Sequence, residues 1–357
     1  MDFVSDKSDN KINDYTFEYP KVGNYISTNK YISNPNTNDM NKYVFINAVE
    51  GGEIDFFNKS ITLTFFINNC YVIDCERSFI TIAFKDQSVD FNTDTRFPCK
   101  MFKSVTTNFS TGSTFTTDPF VTFKAKKYFG NFGIYGNKSQ TPASISIPLS
   151  SICSLFSTDY LYTNLLNGTT TLKVNLDSTG YFKTKCTINM ARICLNTCNN
   201  EILMNKLANE SKILAKFYKT DCIEANISQN TGATISIGSF SPSVVAFAFK
   251  LNDAYTNITS FNIDIGSANN SVFTYNLLTG EINNISTMYG ISTLIDGGYF
   301  IIPTYNFGMN DFSGVNATRN TVTIRITSKM TTKLSICVIS NCIGVYEAGM
   351  LKMISDF

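Results

Sequence analysis

Histidine and tryptophan are both missing from this chain of 357 residues. Histidine is the side chain used most often as a general base near neutral pH. Its absence excludes Ser-His-Asp and Cys-His catalytic arrangements and every metal site that contains histidine. We therefore expect a protein that is not an enzyme, with no catalytic residues, no metal site and no cofactor. A glycoside hydrolase with a pair of carboxylates stays open on composition alone, because Asp and Glu are present.

Charge is also scarce, since Asp, Glu, Lys and Arg make up 16% of the chain, against about 25% in an ordinary domain. The 29 basic and 28 acidic residues nearly cancel, so a surface that wraps nucleic acid is not indicated, and we predict no specific nucleic-acid partner. A low-charge exterior rich in Asn, Thr and Ser suits a protein that buries surface against copies of itself. Codon bias in an AT-rich genome accounts for the same composition.

The ten cysteines favour a reduced protein in which cysteine acts as a small buried apolar residue. The first residues of the chain lack the basic and apolar regions of a secretory signal, which supports a reducing compartment. Three pairs are spaced like loose metal-binding knuckles: Cys70 and Cys75, Cys194 and Cys198, and Cys337 and Cys342. A cysteine-only zinc site and disulfides are the alternatives that this spacing leaves open.

Short runs with a period of two dominate the sequence and indicate β-strands separated by polar turns. Ile61, Leu63, Phe65 and Ile67, for example, alternate with Thr62, Thr64 and Phe66. Comparable runs occur at 79–84, 121–124, 143–147, 170–176, 231–237, 244–251, 258–265, 322–326, 334–339 and 343–346. This repetition predicts an all-β sandwich or barrel. Two segments favour short helices instead, one over 149–156 and one over 201–214, where Leu203, Leu207 and Leu214 form an apolar face.

Three polar segments carry weaker signals. Residues 1–39 are rich in Asn and predict an arm that orders only against a neighbour. Asp90–Asp94 alternates oxygen ligands like a calcium loop, but Thr95 and Met101 stand where that loop needs Gly and Glu, which favours an exposed turn. Lys124–Lys127 is the densest basic cluster, and it is too short to indicate nucleic-acid binding by itself.

One motif stands directly before the strand-like run 321–327. Its members are Ser313, Gly314, Asn316, Thr318 and Arg319. Gly314 permits a positive φ or a close backbone approach, while Asn316 and Thr318 can fix the loop by bonding nearby backbone. Arg319 can donate a planar fork to a carboxylate or to carbonyls. An ordinary polar turn is the alternative reading of these residues.

The Ser-Gly-x-Asn-x-Thr-Arg motif, running into a late strand, resembles a signature of the double jelly-roll major capsid proteins of eukaryotic DNA viruses (the Polinton, virophage and large-DNA-virus group). Three further stretches resemble this family in the family's order: 54–63, then 147–149 with the strand 171–176, then 186–193 followed by the helix-like segment 201–214. Phe312 departs from the family pattern, which often has Pro before Ser-Gly.

This resemblance implies two consecutive jelly-roll barrels over 40–178 and 179–357, after an arm over 1–39. It also implies pseudo-hexagonal homotrimeric capsomers of an icosahedral virion. The implied partners are the chain itself, with minor capsid and penton proteins, and the implied location is a virion assembled inside the host cell. A β-sandwich adhesin or other surface-binding module is the alternative function, and it requires an exposed aromatic or acidic binding face.

Overall fold

The computed structural model describes residues 42–85, 101–117, 144–158, 160–180, 182, 185–198, 212–230, 233–237, 244–251, 257–267, 270–277, 299–303 and 321–354. The predictions for residues 1–39, the strand at 121–124, the segments Asp90–Asp94 and Lys124–Lys127, and the motif Ser313–Arg319 lie outside these ranges. No helix in the described ranges is long and apolar enough to cross a membrane.

Strands of alternating burial make up the first half of the chain. They are β1 (Lys42–Asn47), β2 (Ile54–Asp55), β3 (Ser60–Asn68), β4 (Val72–Phe84), β5 (Phe102–Phe109), β6 (Thr114–Thr117), β7 (Ser144–Pro148), β8 (Tyr160–Tyr162), β9 (Thr169–Asp177) and β10 (Thr187–Cys198). One sheet has the order β1-β10-β4-β7, with β2 on β10 and β8 on β4. The other has the order β3-β9-β5-β6. Their apolar faces enclose a core that includes Leu63, Phe65 and Val174.

The second half follows the same plan. Its strands are β11 (Lys212–Ile227), β12 (Ala233–Ile237), β13 (Val244–Leu251), β14 (Ile258–Ser267), β15 (Asn270–Leu277), β16 (Tyr299–Pro303), β17 (Thr321–Ser328), β18 (Thr332–Glu347) and β19 (Met350–Ile354). The orders are β11-β18-β13-β16, with β19 on β18, and β12-β17-β14-β15. A second core forms between these sheets and includes Phe247, Phe261 and Ile324.

The two halves share one topology. When β2, β8 and β19 are set aside, the described ranges contain eight strands in each half. In both halves, one sheet takes the first, eighth, third and sixth strands, and the other takes the second, seventh, fourth and fifth. Two four-stranded antiparallel sheets connected in this way form a jelly roll. The predicted all-β fold of two consecutive jelly rolls is therefore confirmed.

Strand pairing places β10 in the first barrel. Over its C-terminal half β10 pairs with β1, from Lys42 opposite Thr197 to Asn47 opposite Arg192, and its other edge pairs with β4. The predicted boundary at 178/179 assigned this strand to the second barrel. The strand before it in the chain, β9, belongs to the other sheet. The sequence does not show that the chain then crosses to the first sheet and places β10 beside β1.

The two predicted helices have different outcomes. The first is confirmed as a short helix, α1 (Leu149–Ile152), followed by a 3₁₀ turn over Ser154–Ser157. The second, over 201–214, is wrong at its end, because β11 begins at Lys212 and Leu214 lies opposite Val345 in the sheet. Leu214 is buried on this strand, so strand pairing overrides the helical spacing of leucines. Residues 201–211 lie outside the described ranges.

Candidate functional site at the junction of the two barrels

A long two-stranded ribbon belongs to both barrels. Strands β11 and β18 each have 16 residues and pair without interruption from Lys212 opposite Glu347 to Ile227 opposite Thr332. At about 3.4 Å per residue such a ribbon is roughly 50 Å long, far longer than the usual strand of about 5–6 residues. This length allows its two ends to serve different cores.

One end of the ribbon packs into the first barrel. Ile213, Ala215 and Phe217 of β11 are buried in the same apolar cluster as the first-barrel residues Phe156 and Leu161. Side chains two residues apart share a face of a strand, which explains why these odd-numbered positions point the same way. The cores of the first barrel and of the ribbon's end are therefore continuous.

The other end of the ribbon closes the second barrel. Ile227 of β11 and Leu334, Ile336 and Val338 of β18 are buried in the second cluster. Because one pair of strands supplies side chains to both cores, bending or sliding one barrel against the other would disturb both cores at once. Close packing resists such changes, so the ribbon fixes the relation between the barrels.

A tyrosine pair closes the junction. The rings of Tyr162, in the first barrel, and Tyr346, on β18, lie 5.6 Å apart at 88°, an edge-to-face geometry that stabilises aromatic pairs. The backbone N–H of Tyr162 also donates to the Tyr346 hydroxyl oxygen at 3.4 Å. Both side chains are almost completely buried. The pair therefore ties strand β8 of the first barrel directly to the ribbon.

The hairpin between β18 and β19 makes the second polar contact. Its two-residue turn consists of Ala348 and Gly349, which have φ values of 52° and 77°. Two positive φ values in a two-residue hairpin are typical of a type I′ turn. The carbonyl of Gly349 accepts the backbone N–H of Asn167 from the first barrel at 2.8 Å. A Cβ atom on Gly349 would overlap the Asn167 side chain, so the close approach requires glycine.

A second glycine allows close packing in the junction. Gly344 of β18 is buried, and a Cβ atom there would overlap the ring of Phe217 on β11 and lie 2.9 Å from Cδ1 of Leu351 on β19. Phe217 and Leu351 are both fully buried. The ring therefore fills the space that a side chain at position 344 would occupy.

Thiols in the described ranges lie mainly in the cores. Cys70 is exposed, and six other cysteines are buried: Cys75, Cys153, Cys186, Cys194, Cys198 and Cys342. Burial raises the pKa of Cys342, at the junction, to about 12, and burial also raises the pKa of Cys153 and of Cys194. Since the thiolate is the reactive form, these buried thiols are poor nucleophiles and poor metal ligands. Within the described ranges no three Cys, Asp or Glu side chains are grouped to hold a metal ion.

The junction is not where the sequence motifs pointed. The motif of Ser313, Gly314, Asn316, Thr318 and Arg319 lies outside the described ranges, while the strand predicted after it is present as β17. Sequence reasoning predicted separate strands at 334–339 and 343–346, whereas the structure has one strand over 332–347. The residues between the two predicted strands are Ser340, Asn341 and Cys342, and Ser and Asn are common in turns, which explains the predicted break. The available signal for one strand was the lack of Gly and Pro over these three positions.

Comparison with known proteins gives matches in structure and none in sequence. No protein-family model and no curated protein matches the chain. The PBCV-1 protein VP54, from a crystal structure fitted into a reconstruction of the virophage Sputnik, matches with a TM-score of 0.62 and 9% identity, over 91% of this chain and 99% of that chain. The STIV MCP matches with a TM-score of 0.52 and 7% identity, over 84% and 96%.

The Faustovirus major capsid protein matches with a TM-score of 0.51 and 10% identity, over 87% of this chain and 91% of that chain. Each match extends across both barrels and almost the whole of the other protein. At identities this low the matches establish a shared fold, which is the same pair of tandem barrels that the strand order shows.

Proposed function

We propose that this double jelly-roll chain is a major capsid protein, forming pseudo-hexagonal homotrimeric capsomers of an icosahedral virion. The observation that carries the proposal is the pair of barrels with one strand order, joined rigidly by the β11–β18 ribbon. Three such chains in a ring present six similar barrels, and closed symmetric assemblies of this kind tile a shell. The proteins of matching fold include one from the PBCV-1 capsid and the Faustovirus major capsid protein.

The mechanism proposed is geometric. A capsid subunit must present both barrels at a constant angle, because every neighbour in the shell meets the same outline. The angle between the barrels is held constant by the shared core, by the pair Tyr162 and Tyr346, and by the contact of Asn167 with Gly349. A role without catalysis accords with a sequence that lacks histidine. The partners on this proposal are further copies of the chain, with minor capsid and penton proteins. The location is the virion, assembled inside the host cell.

The domain plan also remains a proposal. We keep the predicted arm over 1–39 and the order of the two barrels. We move the predicted boundary at 178/179, so that the first barrel extends from about residue 40 to the end of β10 at Cys198 and the second begins at Lys212. The pairing of β10 with β1 and β4 supports this end of the first barrel. Limited proteolysis tests the arm, which should be cut in free subunits and protected in particles. Equal protection in both states contradicts it.

The motif Ser313–Arg319 is proposed to clamp the loop before β17. Gly314→Val should destabilise the chain by about 1–3 kcal/mol if the glycine adopts a conformation closed to other residues. Arg319→Lys should also lower the melting temperature, because an ammonium cannot reproduce the two-pronged donor. Lys59→Arg, a change on an exposed side chain, is the control and should melt like the parent. Melts of both variants that match the parent contradict the clamp.

Mass measurement tests the proposed function. Light scattering of purified protein should give about three times the 39.8 kDa of one chain, or the mass of larger shells. Permanent assemblies have interfaces of about 2,000 Å² or more that are rich in apolar residues, so trimers of a capsid protein should persist at micromolar concentration. A monomer under these conditions contradicts the capsid function and favours the surface-binding alternative.

A further inference from the structure

The turn before β9 holds the pair Asn167 and Gly168. It is the single place in the whole sequence where glycine directly follows asparagine. Both residues are exposed, and Gly168 has a φ of 76°, a conformation that favours glycine. A Cβ atom on Gly168 would also overlap the side chain of Ser110. The turn therefore requires glycine after Asn167 for its own geometry, and it presents the pair to water.

Glycine at this position leaves a reactive peptide unit. The backbone nitrogen that follows an asparagine can attack the carbonyl carbon of its side chain, because the product is a five-membered ring. A side chain on the following residue obstructs this attack, and glycine has none. Among the described residues, the Gly168 N–H donates no hydrogen bond and the Asn167 side-chain amide forms none. No hydrogen bond therefore holds back the nitrogen or the carbonyl group that it attacks.

We propose that Asn167 is a site of spontaneous deamidation, and that the reaction weakens the junction between the barrels. The Gly168 nitrogen bonds to Cγ of Asn167 and loses its proton, and the side-chain nitrogen leaves as ammonia. Water then opens the resulting succinimide at either of its two carbonyl carbons. The products are aspartate and isoaspartate, in which the main chain runs through the former side chain. The inference goes beyond the proposed function, and it holds whether or not the chain forms a shell.

The position of the pair makes the change structural. The backbone N–H of Asn167 donates to the carbonyl oxygen of Gly349 at 2.8 Å, and this bond joins the first barrel to the β18–β19 turn. On the other side of the pair, the N–H of Thr169 donates to Oγ of Ser110 at 2.7 Å. Isoaspartate adds one methylene group to the main chain between these two bonds. At least one of the two bonds must then shift from its present geometry.

The new charge acts against the same contact. The side chain of Asn167 lies against Gly349, where even an added Cβ atom would overlap it. Either product carries a carboxylate in place of the neutral amide, and carboxylate oxygens only accept hydrogen bonds. The Gly349 carbonyl oxygen in this contact is an acceptor as well, so the carboxylate gains no partner from it and is repelled. Both products therefore disfavour the close approach of the hairpin to the first barrel.

Ageing of the folded protein tests the site. The purified parent chain is incubated in neutral buffer and digested, and mass spectrometry of the separated peptides measures asparagine, aspartate and isoaspartate at each position. The controls in the same sample are Asn58 and Asn189, which are exposed and precede Lys59 and Met190. We expect Asn167 to convert at least about tenfold faster than both, which corresponds to a barrier lower by about 1.4 kcal/mol. Conversion of Asn167 no faster than the controls would overturn the proposal.

Thermal melting measures the effect on the junction. The converted parent, separated by ion exchange through its extra negative charge, should melt about 2 °C or more below the fresh parent. Asn167→Ser is the matched variant, because it keeps the backbone N–H that bonds Gly349 and cannot form the ring. After the same incubation it should melt like its own fresh sample. A converted parent that melts like the fresh one would overturn the effect on the junction, and so would an aged Asn167→Ser variant that loses as much as the aged parent.

Discussion

Gly344 should not tolerate even a methyl group. In Gly344→Ala the new Cβ would overlap the Phe217 ring and lie 2.9 Å from Cδ1 of Leu351, and both neighbours are fully buried. Overpacking of this kind costs about 1–3 kcal/mol. For domains of this size each kcal/mol lowers the melting temperature by about 2–4 °C. Thermal melts followed by circular dichroism should therefore show a loss of several degrees.

A double-mutant cycle identifies the cause. Phe217→Leu removes the ring edge that the methyl group meets, so the double variant should lose less stability than the sum of the two single losses, by at least about 0.5 kcal/mol. Gly51→Ala is the matched control, because its Cβ would meet only a carbonyl oxygen at 3.9 Å. It should stay within about 0.5 kcal/mol of the parent. A parent-like melt for Gly344→Ala, or strictly additive losses, would refute this packing.

Three further predictions concern the β18–β19 turn, the carboxyl of Asp74 and the reactivity of two cysteines. In urea unfolding, Ala348→Gly should raise the free energy of unfolding by about 1 kcal/mol and Gly349→Ala should lower it by at least as much, because both residues have positive φ. If both substitutions change the free energy of unfolding in the same direction, the turn assignment is contradicted. Burial raises the pKa of Asp74, so the folded protein favours the protonated carboxyl and loses stability as pH rises through that pKa. The melting temperature of Asp74→Asn, measured relative to the parent, should therefore rise between about pH 4 and about pH 7. A difference in melting temperature that does not change with pH contradicts this prediction. A thiol reagent should label exposed Cys70 quickly and buried Cys342 only after unfolding. Peptide mass spectrometry measures both rates, and equal labelling rates contradict the burial of Cys342.

Local pattern predicted much of the fold. The period of two over Ile61–Ile67 places Leu63, Phe65 and Ile67 in the core, and the structure confirms it. The run 244–251 is a strand with the predicted bounds. Such predictions succeed because one buried face dictates alternation within a single strand.

Pairing between distant segments could not be predicted. Whether β10 joins the first or the second barrel depends on β1, which lies about 150 residues earlier in the chain. Leu214 fits a helical spacing, but its burial comes from β18, whose contacts are remote in sequence. The junction itself depends on pairs such as Tyr162 with Tyr346. Propensity and periodicity carry no information on such partners.

Electron microscopy of the purified assembly tests the capsid function most directly. We expect averaged images of a three-fold particle with a six-lobed, hexagonal outline, one lobe for each barrel of three chains. Two barrels held by the shared ribbon should appear as a constant pair of lobes in each third of the particle. Monomers, or assemblies without three-fold symmetry, would contradict the proposed capsid function.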